Sequence, residues 1–331
     1  MGLKIAFSTL IQNPHTKSQI LLYQSFKNVV FLQKSERQDA GDEDSASFKR
    51  ILEHCESGEL DEQDWEALRT RFIGRAPDAS HIMWNDAVRL FYSNKSVLEY
   101  NMHKLNHLGT PIAKIQAYHN VRAAAKRDSS ECRNLQACLY LSVGSKVMLT
   151  QNLWSEVGLH NGAKGKVVDI VYRNQAGPLG NELPLAIVVQ FDVLSDEIEP
   201  FLEDVPRSIP IPLQTAEWTN PSDISKKYIR KQFPLTLSWA FTFHKSQGKT
   251  LKRVVIDLEK SEKCAGMTLV GLSRVRRLKD LLLQPFSFER LKKVNKQKQL
   301  KDVQDAIAVL KERAEDTKRR FGNLWNVGDM D

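Results

Sequence analysis

The spacing of apolar residues predicts helices in the first 110 residues. Apolar side chains recur there every three or four positions, which is the period of a helix with one buried face. We expect one helix around residues 48–58, a second over 61–72 with Asp61 as its N-cap, and a third over 86–107. Gly109 and Pro111 end the third helix, because neither residue continues helical backbone well.

The pattern changes after residue 140, where short apolar runs are separated by clusters of Gly, Asn and Pro. Runs of this length, bounded by turn-forming residues, are typical of β-strands. Their close succession predicts a small β-barrel. The runs are Val143–Leu149, Gly165–Tyr172, Leu185–Asp192 and Ser208–Leu213.

From Pro234 onward strand-like and helix-like runs alternate, which predicts an α/β lobe. The simplest architecture is therefore an α/β lobe interrupted by the β-barrel, with a basic helix as the tail. The predicted divisions are a junction over 1–30, the first part of the lobe over 31–140, the barrel over 141–232, the second part of the lobe over 233–290 and the helical tail over 291–331.

Charge and cysteine content narrow the functional classes. The 331 residues include 48 Lys and Arg against 40 Asp and Glu, and a net charge of +8 favours an anionic partner, although many proteins with this excess bind nothing acidic. The four cysteines form no C-x-x-C pair, so neither a zinc site nor a disulfide framework is indicated. No apolar run approaches the ~20 residues that cross a bilayer, and no signal peptide is evident, so we expect a soluble, intracellular protein.

The densest chemistry lies in Thr242–Thr250, directly after an apolar run. Sheets of α/β proteins usually present ligand contacts on turns at the carboxyl ends of their strands. Lys245 supplies a positive charge for phosphate, Thr242 and Ser246 supply hydroxyl donors, and Gly248 allows close backbone approach. The alternative is a hydrophilic turn that only joins a strand to a helix.

Gly248–Thr250 resembles the end of a phosphate-binding loop, but the loop itself is absent. The pattern G-x-x-x-x-G-K-[ST] needs a glycine five residues before Gly248, where Phe243 stands. Gly165 begins a similar pair and fails in the same way, with His160 at the glycine position. No acidic pair after an apolar strand suits Mg²⁺, so we predict no metal site and no stable binding of ATP by this chain alone.

A second cluster, Leu272–Arg277, ends the helical run near residue 270. Arginine suits a phosphate site, since its planar guanidinium stays charged and can reach two oxygens at once. An arginine that one lobe supplies to a nucleotide held by another lobe stabilises the charge that develops during phosphoryl transfer. The alternative is that Arg276 and Arg277 are ordinary surface charges.

Two segments resemble motifs of the PIF-type DNA helicases, a RecD-like group of superfamily 1. Leu237–Gly248 is similar to the fifth helicase motif of this family, and Gly266–Arg274 is similar to the sixth, usually written G-x-x-Y-V-A-L-S-R. Arg274 falls at the family's arginine finger. Leu269 and Gly271 stand where the family has tyrosine and alanine, and glycine inside a helix costs up to about 1 kcal/mol relative to alanine.

Further segments extend the resemblance over nearly the whole chain. Val29–Leu32, followed by Arg37 and Gln38, resembles the fourth motif, whose arginine also reaches the nucleotide. The segments between Gly144 and Gly165 are very similar to the family's inserted barrel of the Src-homology-three type. In that barrel Trp154 either stacks on a base or fills the interior, and its apolar neighbours favour the interior.

The resemblance implies a second RecA-like lobe interrupted by an SH3-like β-barrel, and it implies a role for each motif residue. The expected catalytic residues are Arg37 and Arg274, the expected ATP-binding residues are Gln38, Gln247, Gly248 and Ser273, and the expected DNA-binding residues are Thr242, His244, Lys245 and Ser246. ATP and Mg²⁺ are the cofactors of the complete enzyme, and single-stranded DNA is its partner. The family's first lobe, which carries the phosphate loop and the Mg²⁺ carboxylate, is not among these motifs.

Two hypotheses remain from the sequence. In the first, the chain is the C-terminal part of an ATP-dependent 5′–3′ DNA helicase that acts in DNA repair and recombination, and a fuller chain hydrolyses ATP. In the second, it is a stand-alone, catalytically inactive DNA-binding remnant derived from a transposon. The family resemblance implies a nuclear protein, with the mitochondrion as the alternative.

Overall fold

The computed structural model describes residues 25–31, 43–173, 182–220, 223–260, 262, 264–296 and 298–322. These residues form two compact units. One unit, here called the lobe, combines the described residues before Lys95 with those after Ala240, and the other, the inserted unit, spans Lys95–Ala240. The fold is therefore α/β with an inserted β-rich unit, as predicted.

The helices in the described residues are α1 (Glu43–Ser57), α2 (Glu62–Arg69), α3 (Asn94–Asn106), α4 (Phe243–Ser246), α5 (Met267–Leu272), α6 (Phe288–Asn295) and α7 (Lys298–Phe321). The strands are β1 (Val88–Phe91), β2 (Ala113–Gln116), β3 (Tyr118–His119), β4 (Cys138–Leu141), β5 (Lys146–Leu149), β6 (Lys164–Val171), β7 (Ala186–Phe191), β8 (Ser208–Ile211), β9 (Gln214–Asn220), β10 (Asp223–Gln232), β11 (Leu235–Leu237), β12 (Ala240–Thr242), β13 (Val254–Ile256) and β14 (Leu281–Leu283).

The lobe is built on a four-stranded sheet with the order β12-β1-β13-β14. β1 pairs in parallel with β13, and β13 pairs in parallel with β14. Every residue of β13 and β14 is buried, which is expected of parallel strands covered on both faces. The core of the lobe joins these strands to α1, α2, α4, α5 and α6 through residues that include Phe48, Ile51, Leu68, Leu90, Phe243, Ile256, Leu272, Leu283 and Leu291.

The predicted N-cap Asp61 is confirmed. The backbone N–H of Asp64 donates to the Asp61 carboxylate over 2.8 Å, and the N–H of Asp61 donates back to Asp64 over 3.1 Å. This reciprocal pair satisfies two N–H groups that have no partner within α2 itself. Asp64 is fully buried, and Arg50 and His54 of α1 bind its carboxylate, so the cap also joins the two helices.

The inserted unit contains a five-stranded sheet with the order β11-β5-β6-β7-β8, in which all the pairs are antiparallel. Four of its five strands, β5 to β8, lie in the four runs that the sequence predicts. Gly165 is required on β6, because a Cβ there would lie 2.4 Å from the carbonyl oxygen of Gln190 on β7. The apolar core beneath this sheet includes Leu141, Val147, Leu149, Val167, Ile187, Val189, Phe191, Phe233 and Leu235.

Two smaller sheets complete the inserted unit. β2 pairs with β4, and the long hairpin of β9 and β10 carries β3 on its other edge. The strands between residues 113 and 141 therefore lie in the inserted unit, and the predicted divisions at 141 and 232 both fall inside it. The sequence pattern does not predict the β9–β10 hairpin.

Arg230 on β10 is the largest fully buried side chain among the described residues. Its guanidinium donates to the carbonyl oxygens of Leu135, Ala124 and Arg127 over 2.8, 3.0 and 2.8 Å. Its Nε donates to Nε2 of His119 over 3.0 Å, and burial, followed by the charge of Arg230, lowers the pKa of that histidine. Arg230 therefore holds the hairpin against the segments that precede β4.

Two sequence expectations are wrong in this structure. Residues 88–91 form β1 rather than the start of a helix, because Val88 and Leu90 alternate with more exposed neighbours and pair with β13. Trp154 does not fill the barrel interior, since 51% of its surface is exposed.

The predicted basic tail is helical, but it is divided into α6 and α7. α6 packs on the lobe through Arg290, Leu291 and Val294, all of which are buried. Among the described residues, no helix combines the length and the apolar character that crossing a membrane requires.

Candidate nucleic-acid and nucleotide site

The fifth-motif residues form a tight turn at the end of β12. Thr242 ends the strand and caps α4, because its hydroxyl accepts from the N–H of Lys245 over 3.4 Å. α4 has only one turn, and the chain then folds back through two bonds, from Gln247 N–H to the His244 carbonyl and from Lys249 N–H to the Ser246 carbonyl. We call residues 242–249 the motif V turn.

Ala240, the first residue of β12, is held by Asn101 on α3. Its side-chain amide accepts from the N–H of Ala240 over 2.9 Å and donates to the carbonyl of Ala240 over 3.1 Å. Asn101 is 5% exposed, so these bonds form away from water. The pairing satisfies both the N–H and the carbonyl of Ala240.

The turn presents two charged or polar side chains to solvent. His244 and Lys245 are exposed, whereas Ser246 is fully buried and its hydroxyl donates to the Phe243 carbonyl over 2.7 Å. The predicted DNA contacts are thus separated: Thr242, His244 and Lys245 lie at or near the surface, and the Ser246 hydroxyl is used inside the turn. In this conformation Ser246 offers a ligand no side-chain donor.

Two lysines of the turn carry perturbed amines. Burial by the surrounding protein, followed by repulsion from Lys249, lowers the pKa of Lys245 to about 8, although the end of the side chain reaches solvent. Burial also lowers the pKa of Lys249. Among the described residues, neither amine forms an ion pair with a carboxylate. Two uncompensated cations at one turn create a site for an anion.

Arg274, the predicted arginine finger, lies directly behind the motif V turn. It is only 2% exposed, and its Nη1 donates to the carbonyl oxygens of Ser246 and Lys249 over 3.0 and 3.2 Å. Its Nε donates to Val270 over 2.6 Å, and its Nη2 donates to the Ser273 hydroxyl over 2.8 Å. The sixth motif therefore holds the backbone of the fifth through one guanidinium.

The other predicted ATP-binding residues take different positions. Gln247 is half-buried and Gly248 is exposed, with a φ of 79° and no atom within 4 Å of the place where a Cβ would stand. Gly248 thus allows both the left-handed backbone and a close approach by a ligand. Ser273 is buried, and its hydroxyl donates to the Val270 carbonyl over 3.2 Å. Arg37 and Gln38 lie outside the described residues.

Close packing explains why a glycine, Gly271, stands in the sixth motif. A Cβ at Gly271 would lie 2.4 Å from Cε1 of Phe243, whose ring is fully buried and stacks on Tyr92 at 4.5 Å between centroids. Phe243 therefore occupies the space that an alanine methyl would need in α5. The sequence departure at Gly271 is matched by the bulk of Phe243, a relation that motif comparison alone does not reveal.

We tested whether acidic residues of the described chain fit Mg²⁺. One group of candidate ligands has its atoms within 4.8 Å of one another, namely His54, Asp61 and Asp64. Both carboxylate oxygens of Asp64 are engaged, one by Arg50 and the other by His54 and the N–H of Asp61. This group does not fit Mg²⁺, which binds through free carboxylate oxygens, water and phosphate.

The residues also do not fit a bound triphosphate as they are arranged here. The guanidinium of Arg274 is directed at carbonyl oxygens of its own lobe, so a phosphate would have to replace them as acceptors. No glycine-rich loop with the phosphate-binding pattern occurs in the 331 residues. In this arrangement the guanidinium of Arg274 serves the backbone of its own lobe.

Comparisons with known proteins agree with the motifs. The family model described as the 2B domain of the DNA helicase Pif1 matches residues 133–170, which contain β4, β5 and nearly all of β6. The ATP-dependent DNA helicase PIF1 of Danio rerio is 35% identical over 148 residues, covering 45% of this chain and 19% of that protein. The PIF1 helicase of Homo sapiens is 31% identical over 211 residues, covering 63% of this chain and 29% of that protein.

A solved structure supports the same fold. The Pif1 helicase from Bacteroides, crystallised with ADP-AlF3 and single-stranded DNA, aligns with a TM-score of 0.60 at 21% identity. The alignment covers 90% of this chain and 64% of that one, and the chain spans less than a third of the two vertebrate relatives. The fold of the α/β lobe is thus RecA-like, and the motifs, the matched 2B domain and the relatives show that this chain is similar to PIF1-type helicases over these regions.

Proposed function

We propose that this chain is the C-terminal part of an ATP-dependent helicase that moves 5′ to 3′ along single-stranded DNA. Its relatives carry the name ATP-dependent DNA helicase, and the Bacteroides Pif1 structure holds a nucleotide analogue together with single-stranded DNA. The observation that carries the proposal is the motif V turn, where exposed His244 and Lys245 sit on a backbone that Arg274 holds from behind. We also propose the nucleus as its compartment, with the mitochondrion as the alternative.

The proposed DNA contact uses the exposed side of the turn. The Lys245 ammonium binds a backbone phosphate, and His244 and the Thr242 hydroxyl donate to neighbouring phosphate or sugar oxygens. Ser246 contributes by shaping the turn, since its hydroxyl is buried. Contacts of this kind bind DNA without reading its sequence, as a translocating enzyme requires.

The proposed nucleotide contact uses Arg274. A γ-phosphate is a stronger acceptor than a backbone carbonyl, because it is charged and offers three oxygens. Arg274 would be the residue that meets the phosphate oxygens of a nucleotide held by a first lobe, and it would then give up the carbonyls of Ser246 and Lys249. Nucleotide binding is thereby coupled to the DNA-contacting turn. Arg37 and Gln38 are proposed to complete this contact.

The grip on the β-phosphate and Mg²⁺ is assigned to a first RecA-like lobe outside these 331 residues. Nucleotide hydrolysis at the interface of two lobes needs both a phosphate loop and an arginine supplied from the other side. We therefore expect no DNA-stimulated ATP hydrolysis from this chain alone. Fusion to the first lobe of a PIF1 helicase should restore it.

The experiment compares the purified chain with such a fusion. Binding of a fluorescent oligothymidylate is measured by anisotropy over a range of salt concentrations, and ATP hydrolysis is measured with and without DNA. We expect salt-dependent DNA binding by both proteins and hydrolysis by the fusion alone, lost again in the Arg274→Ala fusion. If the chain alone hydrolyses ATP and Arg274→Ala abolishes this activity, the first lobe is not needed to hold the β-phosphate and Mg²⁺. A folded but inactive fusion would contradict the proposal.

A further inference from the structure

Arg290 of α6 is a buried arginine that lies outside the fifth and the sixth motif. It is 2% exposed, and its Nε and Nη2 donate to the carbonyl of Leu258, just after β13, over 3.2 and 3.1 Å. Nη2 also donates to the hydroxyl of Tyr92 over 3.1 Å and to the hydroxyl of Thr268 over 3.2 Å. One side chain of α6 therefore joins three segments of the lobe that are far apart in the sequence.

The bond to Thr268 reaches the helix of the sixth motif. Thr268 lies in the first turn of α5 and is fully buried, and its N–H donates to the carboxylate of Glu262 over 2.7 Å. The helical pattern continues to Arg274, whose N–H donates to the carbonyl of Gly271 over 3.1 Å. Because α5 has only six residues, the position of its first turn largely determines where Arg274 lies.

The bond to Tyr92 reaches the motif V turn through an aromatic pair. Tyr92 directly follows β1, and its ring packs against the ring of Phe243 with 4.5 Å between the centroids. Phe243 is the second residue of the motif V turn, and its ring fills the space beside Gly271 of α5. The guanidinium of Arg290 thus supports the fifth motif through Tyr92 and the sixth motif through Thr268.

Arg71, a second buried arginine of the lobe, has no such connection. It is 8% exposed, its Nη1 pairs with Asp78 over 2.9 Å, and its Nε and Nη2 donate to the carbonyls of Leu281 and Lys279 over 2.9 and 3.1 Å. These partners lie outside the motif V turn and outside Gly266–Arg274. Arg71 therefore shows what a buried arginine of this lobe does when its role is structural alone.

We propose that Arg290 is a positioning residue of the helicase reaction, which holds α5 and the motif V turn in one arrangement so that Arg274 meets the nucleotide. The inference rests on the proposed function, and it adds a residue outside the motifs. Arg290 is buried, so it acts through the residues that it holds. When Arg274 gives up the carbonyls of Ser246 and Lys249, the bonds of Arg290 remain and keep the two motifs together.

The first measurement is amide hydrogen exchange in the purified chain, for the wild type and for Arg290→Met. Arg71→Met is the matched control, because it removes a buried arginine from the same lobe without changing a contact of either motif. We expect Arg290→Met to speed exchange in residues 242–249 and 267–274, since lost contacts lower the free energy of local opening. Arg71→Met should leave these two segments close to the wild type. Thermal unfolding gives a temperature at which all three proteins are folded.

The second measurement is the kcat and the KM for DNA-stimulated ATP hydrolysis by the fusion with the first lobe. Arg290 touches no substrate, so its loss should misplace Arg274 rather than remove a binding contact. We expect Arg290→Met to lower kcat about tenfold and to keep the KM for ATP within about twofold of the wild type, because misplacing a group that acts in the transition state slows the chemical step. Arg71→Met should retain the wild-type kcat.

Two milder substitutions keep the test decisive if Arg290→Met does not fold. Tyr92→Phe removes one hydroxyl acceptor and keeps the ring that packs against Phe243, and Thr268→Val removes the other acceptor with little change of shape. Each leaves Arg290 bonded to the Leu258 carbonyl, so each should lower kcat by roughly threefold at an unchanged KM. If both retain the wild-type kcat, the positioning role is overturned.

The outcomes separate this inference from the proposed function. If the wild-type fusion hydrolyses ATP and Arg274→Ala abolishes the activity, but Arg290→Met has the kcat of Arg71→Met, the positioning role is overturned and the proposed function stands. Unchanged exchange in the two segments, or a raised KM at an unchanged kcat, overturns the positioning role as well. If the wild-type fusion is folded but inactive, the proposed function fails and the role of Arg290 in its reaction fails with it.

Discussion

Arg274 of the lobe and Arg230 of the inserted unit are buried almost equally, at 2% and 0% exposure, and both donate mainly to backbone carbonyls. Their acceptors differ in kind. Those of Arg230 belong to Ala124, Arg127 and Leu135, in segments packed inside one unit. Two acceptors of Arg274 belong to a turn that carries exposed Lys245 and half-buried Lys249, neither of which pairs with a carboxylate of the described residues.

The comparison shows that burial of a guanidinium does not by itself identify a functional arginine. Carbonyl acceptors satisfy the donors in both places, so each arginine stabilises its unit. The functional difference lies in which segment is released when the hydrogen bonds from the guanidinium to the carbonyls are broken. Releasing Arg230 would open a packed hairpin, whereas releasing Arg274 would free a turn on the surface of the lobe.

The largest expected effect follows from replacing Arg230. Arg230→Met keeps much of the side-chain volume but leaves buried carbonyls without a donor, and we expect the free energy of unfolding to fall by about 4 kcal/mol. Urea denaturation followed by the fluorescence of Trp218, which packs beside this region, would measure the loss. Where the variant is still folded, the salt dependence of DNA binding should be unchanged, and a loss below about 1 kcal/mol would contradict the structural role.

Replacing Arg274 should cost less stability and more function. Arg274→Met leaves the carbonyls of Val270, Ser246 and Lys249 without this donor, but the turn lies near the surface and water can replace some bonds, so we expect a loss of about 2 kcal/mol. The loosened turn should also weaken DNA binding. If DNA affinity is unaffected while stability falls, Arg274 has the same purely structural role as Arg230, and the contrast between the two regions disappears.

Much of this fold could be predicted from the sequence, and the failures have physical reasons. The four barrel runs and the N-cap Asp61 are local signals, so they were predicted correctly. The sequence pattern does not predict the β9–β10 hairpin, in which Arg230 is buried against carbonyls about 100 positions away. Residues 88–91 were assigned to a helix because pairing with β13, more than 160 residues later, decides their conformation.

For the candidate site, the sequence indicates which residues matter but not how each side chain is placed. Motif likeness pointed to Lys245 and Arg274, but it could not show that Ser246 is buried or that Arg274 is directed at its own lobe. It also gave Gly271 as a defect in a helix, since the ring of Phe243 that fills the space belongs to another motif. Contacts between motifs are invisible to a comparison made one motif at a time.

The next effect in size concerns this contact between motifs. Gly271→Ala would restore the residue that the family pattern has, yet we expect it to destabilise the lobe by about 1–2 kcal/mol, because overpacking against Phe243 outweighs the gain in helix propensity. As a single substitution, Phe243→Leu should also lower the stability of the lobe. In the double variant it should reduce the destabilisation that Gly271→Ala causes. Thermal unfolding of the four proteins gives the coupling energy, and strictly additive effects would show that the two residues do not share this space.

The smallest effect that we expect is a pH dependence of DNA binding. It would come from Lys245 of the lobe, whereas Arg230 of the inserted unit stays protonated throughout the range. The pKa of Lys245 is lowered to about 8, so this side chain loses most of its charge as the pH rises from 7 to 9. The affinity for single-stranded DNA should then fall by up to roughly fourfold, which is the contribution of one phosphate contact. Lys245→Arg should remove most of this dependence, because the guanidinium stays protonated throughout the range. Any remainder would come from Lys249, whose pKa is also lowered, and the Lys245→Arg, Lys249→Arg double variant should bind equally at both values. An undiminished pH dependence in that double variant would show that neither amine sets it.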